Sequence, residues 1–300
     1  MGMIRRKKRQ IRSEYAWLLG ICEHGYEDLV AGRIHWISDP SSRGKRWYAD
    51  PFILDYDQDT VTLLVEDFDY KLRRGRIAKL IVSRKNWKVV HRKIILDLDT
   101  HLSFPMIWRE DGHIYVCPEN FHSGTWRLYE YDAQEECLKN GRTLVDEKLT
   151  DTILYKSSST YYVLSTYEPI PNAPFLTIYQ SDSLMGPFQK MGEVAFEERI
   201  ARNAGMVFVH EGKLIRPAME CNQTYGHAIV FQEMTLQDGQ FSFKEIGRFT
   251  SPHPNYADGA HTYNQYKGMA VLDVKGKRYP FLSKVLTHLS VWNAKVRQRE

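Results

Sequence analysis

The chain has 300 residues, 43% of them hydrophobic and 26% charged, the composition of a soluble globular protein with a sizeable core. Its net charge of +4 sits in the first dozen residues, where Arg5, Arg6, Lys7, Lys8, Arg9 and Arg12 supply six positive charges; elsewhere acidic residues outnumber basic ones by two. That balance excludes a general nucleic-acid-binding field, and no apolar stretch approaches the roughly 20 residues of a membrane span.

In chain order, residues 1–14 read as a flexible basic tail, with adsorption to anionic lipid as a secondary reading. The apolar run from Trp17 to Cys22 is stopped by Glu23 and His24, too short for the core of a secretory leader. It reads instead as a strand over 15–22. Cys22, Cys117, Cys137 and Cys221 form no CxxC pair and read as reduced thiols, so the expectation is a cytoplasmic protein without a cysteine nucleophile or a cysteine metal site.

The stretch from Trp47 to Glu66 is a hairpin in sequence. Asp50 precedes Pro51, which biases it towards extended backbone; the apolar run Phe52, Ile53, Leu54 follows, then a polar turn over 55–59, then a second run from Val61 to Val65 ending at Glu66. Continuous apolar runs place both strands inside a packed sheet. The pattern returns at His101, Asp151, Arg202 and His261, at spacings of 50 to 59 residues. Each time a strand, a turn such as Asp111-Gly112 or Glu211-Gly212, and a second strand follow, with Glu66, Glu119, Glu168 and Glu220 closing four of the second strands. Outer strands are expected near 76–83 and 87–96, 126–131 and 142–145, 176–181 and 188–194, and 227–234 and 241–249. Five units of this period predict an all-β fold, a single five-bladed β-propeller over residues 15–285. The fifth unit is short of strands after Asp273, so 15–22, with 33–37 beside it, is predicted to close that blade. Residues 286–300 form a tail with the pattern of a short helix.

The first strand of a propeller blade lines the central channel, so residues at one phase of the repeat converge on the axis. That phase holds Asp50, His101, Asp151, Arg202 and His261. Polar residues also mark strand ends near water, and both readings stand at this point.

A resemblance is carried by Trp47-Tyr48-Ala49-Asp50-Pro51-Phe52, His101-Leu102-Ser103-Phe104-Pro105, Pro118-Glu119, Asp151-Thr152, Ala201-Arg202-Asn203-Ala204-Gly205, Arg216-Pro217-Ala218, Tyr225-Gly226 and Gly259-Ala260-His261-Thr262-Tyr263-Asn264. The blade starts look like those of five-bladed propeller glycosidases of the arabinanase and β-xylosidase kind. More specifically, the series resembles the N-terminal propeller domain of glucosamine inositolphosphorylceramide transferase and its free-standing bacterial relatives. The resemblance implies a sugar site in the central funnel, with Asp50 as general base and Asp151 tuning the acid. It departs where those glycosidases open blade four with a general-acid glutamate, because Arg202 stands here. Glu119 and Glu220 are the candidates for the missing acid. The pair Glu220-Cys221 looks like one in invertase-type propellers but falls at another phase of the blade.

Inverting hydrolysis needs one carboxylate to deprotonate water and one carboxylic acid to protonate the leaving oxygen, roughly 6.5–9.5 Å apart. Clustered carboxylates raise one another's pKa and keep one protonated. The catalytic candidates are therefore Asp50, Asp151, Glu119 and Glu220. His101, Arg202, Arg216, Tyr225, His261, Glu66 and Trp47 are candidates for substrate binding. Arg202 offers forked donors to a carboxylate or phosphate, which, with His101 and His261, inclines the ligand towards an anionic or activated sugar. No metal-ligand spacing is present; His261 is the residue that would approach a central cation, as such histidines do in some propeller glycosidases. Two function classes result: an enzyme of glycosidic bonds, hydrolysing or transferring, and a non-catalytic glycan-binding propeller serving glycan assembly.

Overall fold

A computed structural model describes residues 15–278. They form five four-stranded antiparallel sheets arranged as the blades of a five-bladed β-propeller. Blade one holds β3 (Arg46–Tyr56), β4 (Thr60–Asp69), β5 (Arg74–Ser83) and β6 (Lys88–Leu96). Blade two holds β7 (Ser103–Glu110), β8 (His113–Glu119), β9 (Trp126–Asp132) and β10 (Cys137–Val145). Blade three holds β11 (Leu149–Ser157), β12 (Thr160–Tyr167), β13 (Phe175–Ser181) and β14 (Gln189–Ala195), and blade four β15 (Phe208–His210), β16 (Lys213–Glu220), β17 (Ala228–Gln237) and β18 (Gln240–Phe249). Turn chemistry drives these hairpins: Asp111-Gly112 and Asp238-Gly239 adopt the positive φ that tight two-residue turns require.

Blade five joins the chain ends. β19 (Gly259–Tyr266) and β20 (Met269–Lys277) are completed by β1 (Tyr15–Cys22) and β2 (His35–Trp36). Every residue of β1 has a partner on β20, from Tyr15 opposite Lys277 to Cys22 opposite Ala270. The closing strand expected from the N-terminal sequence is therefore present. A short helix, α1 (Gly25–Val30), follows β1 and was not expected; its six residues are too few to show helical periodicity. The basic tail, the end of the predicted propeller span at 279–285 and the C-terminal helix fall outside the described residues.

The strand faces pack blade on blade. Ile21, Leu63, Val65, Leu80 and Val271 are fully buried in one cluster between blades five and one, and Phe52, Leu64, Ile77, Phe104 and Val116 in another between blades one and two. Apolar burial of this extent is the main stabiliser of such a fold.

One irregularity recurs and positions the site. After Ala49, Ser103, Thr150 and Ala260 the inner strand gains one residue over its partner strand: the next pairs are Phe52 with Leu64, Met106 with Cys117, Ile153 with Leu164, and Tyr263 with Leu272. These are β-bulges, which re-aim a side chain and sharpen the local bend. The bulged positions are Asp50, Phe104, Asp151 and His261. Asp50, Phe104 and Asp151 have φ of 50°, 43° and 43°, a region that costs non-glycine residues of order 1–3 kcal/mol and persists only where the surroundings impose it. The repeat phase predicted for blade two is corrected here: Phe104, not His101, is equivalent to Asp50, and His101 lies three residues earlier, before β7. In blade three the second-strand residue facing the bulge is Thr166, opposite Thr150, rather than Glu168. Blade four opens differently. Arg202 precedes β15 in a segment tied by an isolated bridge from Asn203 to Ala218, and a Cβ at Gly205 would run into the Tyr263 carbonyl. The short β15 follows from that close approach to β19.

Candidate functional site

The bulges aim two sets of charges at the axis, and both sets are almost fully buried. On the seam of blades five and one, the Asp50 backbone N–H donates to Asp273 Oδ2 at 2.8 Å. The Asp50 carboxylate accepts from the Phe104 N–H at 3.0 Å and from Thr262 Oγ1 at 2.7 Å. Asp273 also takes the N–H groups of His261 (3.3 Å) and Thr262 (3.1 Å) and meets His261 Nδ1 at 2.6 Å. The second ring nitrogen of His261 lies 3.4 Å from Asp50 Oδ1. The imidazole stacks on Trp17, with centroids 3.7 Å apart and planes 13° from parallel. Burial pushes Asp50 up to about 6; His261 opposes the rise, while Asp151 and Asp273 add to it. Burial works against a charge on His261, but Asp273 and Asp50 outweigh it and raise its pKa.

On the seam of blades two, three and four, the Asp151 N–H donates to Glu119 Oε2 at 2.7 Å. Arg202 Nε reaches Asp151 Oδ2 at 2.5 Å, its Nη2 lies 3.5 Å from Glu119 Oε2, and its Nη1 is 3.3 Å from Asn172 Oδ1. Its guanidinium carbon sits 5.0 Å from the centre of the Tyr225 ring.

Glu66 stands between the two sets. It is buried, and among the described residues its Oε1 makes no hydrogen bond; His101 Nε2 lies 3.3 Å from it. Burial, reinforced by Asp50, Glu119, Asp273 and Asp151, raises its pKa well above the usual carboxylate range, and burial with Asp151 does the same to Glu119. His101 accepts the Gly75 N–H on Nδ1 at 3.0 Å. Gly75 is required there, since a Cβ would collide with the Leu102 carbonyl and the Glu66 carboxylate. Burial, with His122 and Arg74, lowers His101 to about 4, so it is neutral at pH 7.

The other predicted site residues are placed elsewhere. The Glu220 carboxylate accepts from the Asn222 N–H at 2.5 Å and lies 3.9 Å from His227 Nε2, within the end of blade four. Arg216 is completely buried in that blade and donates to Asn203 Oδ1 (2.9 Å), Gln232 Oε1 (2.5 Å) and the Ala201 carbonyl. Burial lowers it to about 9, and its role is to tie β16 to β17. Tyr225 is exposed at the funnel mouth, edge-on to His261 at 5.5 Å. Trp47 stacks on Phe68 at 4.6 Å, outside the buried cluster.

Asp273, Thr262 and Trp17 belong to the site and were not predicted in it. Asp273 had a signal: an aspartate within the apolar run Met269–Val274 of a strand that reads as wholly buried must have partners. Trp17 had none, because its strand is joined to the site only through closure of the ring.

Ligand atoms of Asp50, His261 and Asp273 lie within 4.8 Å of one another, so these three residues would hold a cation at the axis. The fit is partial. One nitrogen and two carboxylates fall short of the six to eight oxygens that calcium takes, and a protonated His261 would offset one of the two carboxylate charges.

The class the structure defines is that of a five-bladed β-propeller with an acidic, buried funnel. Among solved structures the chain is similar to a thermostable family-43 glycoside hydrolase (TM-score 0.55, 13% identity, 74% of this chain and 85% of that one). It is similar also to the catalytic domain of the Coprinopsis cinerea GH62 α-L-arabinofuranosidase (TM-score 0.51, 12% identity, 69% and 70%). At such identities the likeness is one of fold. The family model for glucosamine inositolphosphorylceramide transferase 1, N-terminal, matches residues 36–277, and the chain belongs to that family. Its relatives include glucosamine inositolphosphorylceramide transferase 1 of Oryza sativa subsp. japonica, 28% identical over 212 residues, and that of Arabidopsis thaliana, 29% identical over 192. These matches cover 67% and 60% of this chain but only 28% and 24% of the relatives; the chain spans about a quarter of their length.

Proposed function

We propose that the chain is a carbohydrate-binding propeller serving glycan assembly, and that its funnel receives a sugar without hydrolysing it. The observation that carries this reading is Arg202. It takes the blade-four position where an inverting glycosidase needs its acid, and a guanidinium paired with Asp151 at 2.5 Å holds its protons too tightly to serve as one. The funnel charge also revises the expected ligand. The buried carboxyl groups Asp50, Glu66, Glu119, Asp151 and Asp273 outnumber the cations among them, and Arg202 already donates to Asp151, Asn172 and Glu119. An anionic sugar would meet net repulsion there, whereas a neutral sugar, or better an amino sugar with its ammonium towards Asp50, meets acceptors. The printed name of the relatives, with glucosamine in it, agrees with that preference.

The test is calorimetric titration with glucosamine, glucose and glucuronate. Glucosamine is expected to bind tightest and to weaken by tenfold or more in Asp50→Asn, the loss of about one charge-assisted hydrogen bond. Tightest binding of glucuronate, or no response to Asp50→Asn, would overturn the reading.

A second reading is favoured by Glu66. It is a buried carboxyl group whose pKa burial and Asp50 raise well above the usual carboxylate range, which supports glycosidic cleavage with Glu66 as acid and Asp50 as base. On this reading an aryl glycoside is turned over, and both Glu66→Gln and Asp50→Asn reduce the rate by roughly 10² or more.

A further inference from the structure

A cavity of about 640 Å³ lies between β1 of blade five and the loop that leads into β3 of blade one, and an adjoining one of about 300 Å³ shares Trp17, Trp47, Tyr70 and Arg278 with it. Together they form a cleft at the rim of the propeller. Asp50, Asp151 and Arg202 do not line it. Trp17 is the wall between the two places, because one side of its indole covers His261 while the ring also lines both cavities.

The chemistry of this cleft is opposite to that of the funnel. Arg43, Arg46 and Arg278 line the larger cavity and Arg73 the smaller one, with Lys45 and Lys71 adjoining in sequence. Asp39 is the one acidic lining residue among the described residues, and its carboxylate already accepts from Ser41 and from Tyr48 Oη at 2.8 Å. Behind the wall, Arg46, Arg76 and Arg92 converge on the single buried carboxylate of Asp67, at 3.3, 3.2 and 2.5 Å. The surplus is written into the sequence: residues 71–93 carry ten lysines and arginines and no acid. Among the described residues Arg43 and Arg73 have no carboxylate partner. Trp17 and Trp47 add flat apolar rings, the surface on which a sugar ring rests, and the cavity volume is that of a small-molecule site.

We propose that this rim cleft is a second binding site, for a sugar or polyol bearing a phosphate or carboxylate, with Trp17 and Trp47 holding the ring and Arg43 and Arg73 the anion. A forked guanidinium fits such an anion better than a point charge does. The anionic group belongs to a free sugar phosphate or to a lipid headgroup of the same chemistry.

The experiment follows tryptophan fluorescence during titration of the full chain with glucose 1-phosphate, with glucose as the uncharged control. Glucose 1-phosphate is expected to bind at least about tenfold tighter than glucose and to weaken several-fold between 50 and 200 mM salt. Arg43→Ala and Arg73→Ala, both exposed and without folding risk, are expected to weaken it about tenfold each, and Asp50→Asn to leave it unchanged. Glucosamine binding in the funnel is expected to show the reverse pattern, so failure at one site is not failure at the other. Equal binding of glucose and glucose 1-phosphate, or indifference to both arginine variants, overturns the proposal. A parallel arm sediments the chain with phosphatidylinositol, phosphatidylserine and phosphatidylcholine vesicles. Binding to phosphatidylinositol that glucose 1-phosphate displaces and Arg43→Ala removes assigns the site to a lipid headgroup. Retention on phosphatidylserine as strong as on phosphatidylinositol, unaffected by Arg43→Ala, would make the cleft irrelevant and the surface merely basic.

Discussion

The two buried sets in the funnel are built on one plan and filled with different chemistry. In each, a bulged aspartate with positive φ, Asp50 or Asp151, gives its backbone N–H to a carboxylate of the preceding blade, Asp273 or Glu119. In each, one cation bridges the two carboxylates. On one side it is Arg202, whose charge is permanent; on the other it is His261, whose charge is not. The same backbone device thus gives one half of the funnel a permanent cation and the other a titratable one. Burial raises Asp50 to about 6, so a change of protonation in the physiological range is expected in its half, while Arg202 braces the Asp151 half.

Breaking the ring is expected to destroy both halves together. Removing residues 1–24 deletes β1, which carries every pairing of β20 on that side and places Trp17 on His261. Cooperative thermal unfolding should then be lost, whereas removal of 1–12 should leave the melting curve nearly unchanged. Matching curves for the two truncations would mean that closure does not hold the funnel.

Removing the cation from each half should separate them. Arg202→Ala leaves the Asp151 carboxylate buried without its cation and is expected to cost about 3–5 kcal/mol in denaturant titrations. His261→Gln should cost clearly less, because Asp50, already raised to about 6, neutralises itself by taking a proton. Equal losses would refute the distinction between brace and titratable half.

Much of this was legible beforehand, and the exceptions share a cause. The repeat, the closing strand and the convergence of Asp50, Asp151, Arg202 and His261 followed from apolar runs and turns, which local sequence carries. Blade two was read one motif too early. His101 is polar and so looked equivalent to Asp50, but the bulge is a backbone feature, and Phe104 before Pro105 mirrors Asp50 before Pro51. Arg216 and Glu220 were taken for funnel residues because strand alternation tells which side a residue faces only when the register is known. The charge of the rim cleft was hidden by averaging: ten basic residues over 71–93 are balanced by acids elsewhere in the chain, and only the fold gathers Arg43 and Arg73 beside Trp17.

The smallest effect is the most specific to the titratable half. Asp50 has a pKa raised by burial to about 6 in the folded protein, against an ordinary value of 3.8. The folded state therefore holds this proton more tightly than the unfolded chain does. Its contribution is complete at low pH and is lost as pH rises through about 6, a decline of up to about 3 kcal/mol across the window. His261, raised in the fold, adds a loss of the same sign above its ordinary range. Wild-type stability is thus expected to fall from pH 5 to pH 8, opposite to the usual behaviour of paired carboxylates. Asp50→Asn cannot ionise, and its amide oxygen still accepts from either the Phe104 N–H or Thr262. At pH 5 the variant should be less stable than wild type by about 1 kcal/mol, for the acceptor it gives up. At pH 8 the difference should vanish or reverse, because the buried charge that burdens the wild type is gone. Urea titrations at the two pH values measure this directly. Curves for variant and wild type that stay parallel would show that Asp50 does not titrate in this range, and that the two halves of the funnel are electrostatically alike.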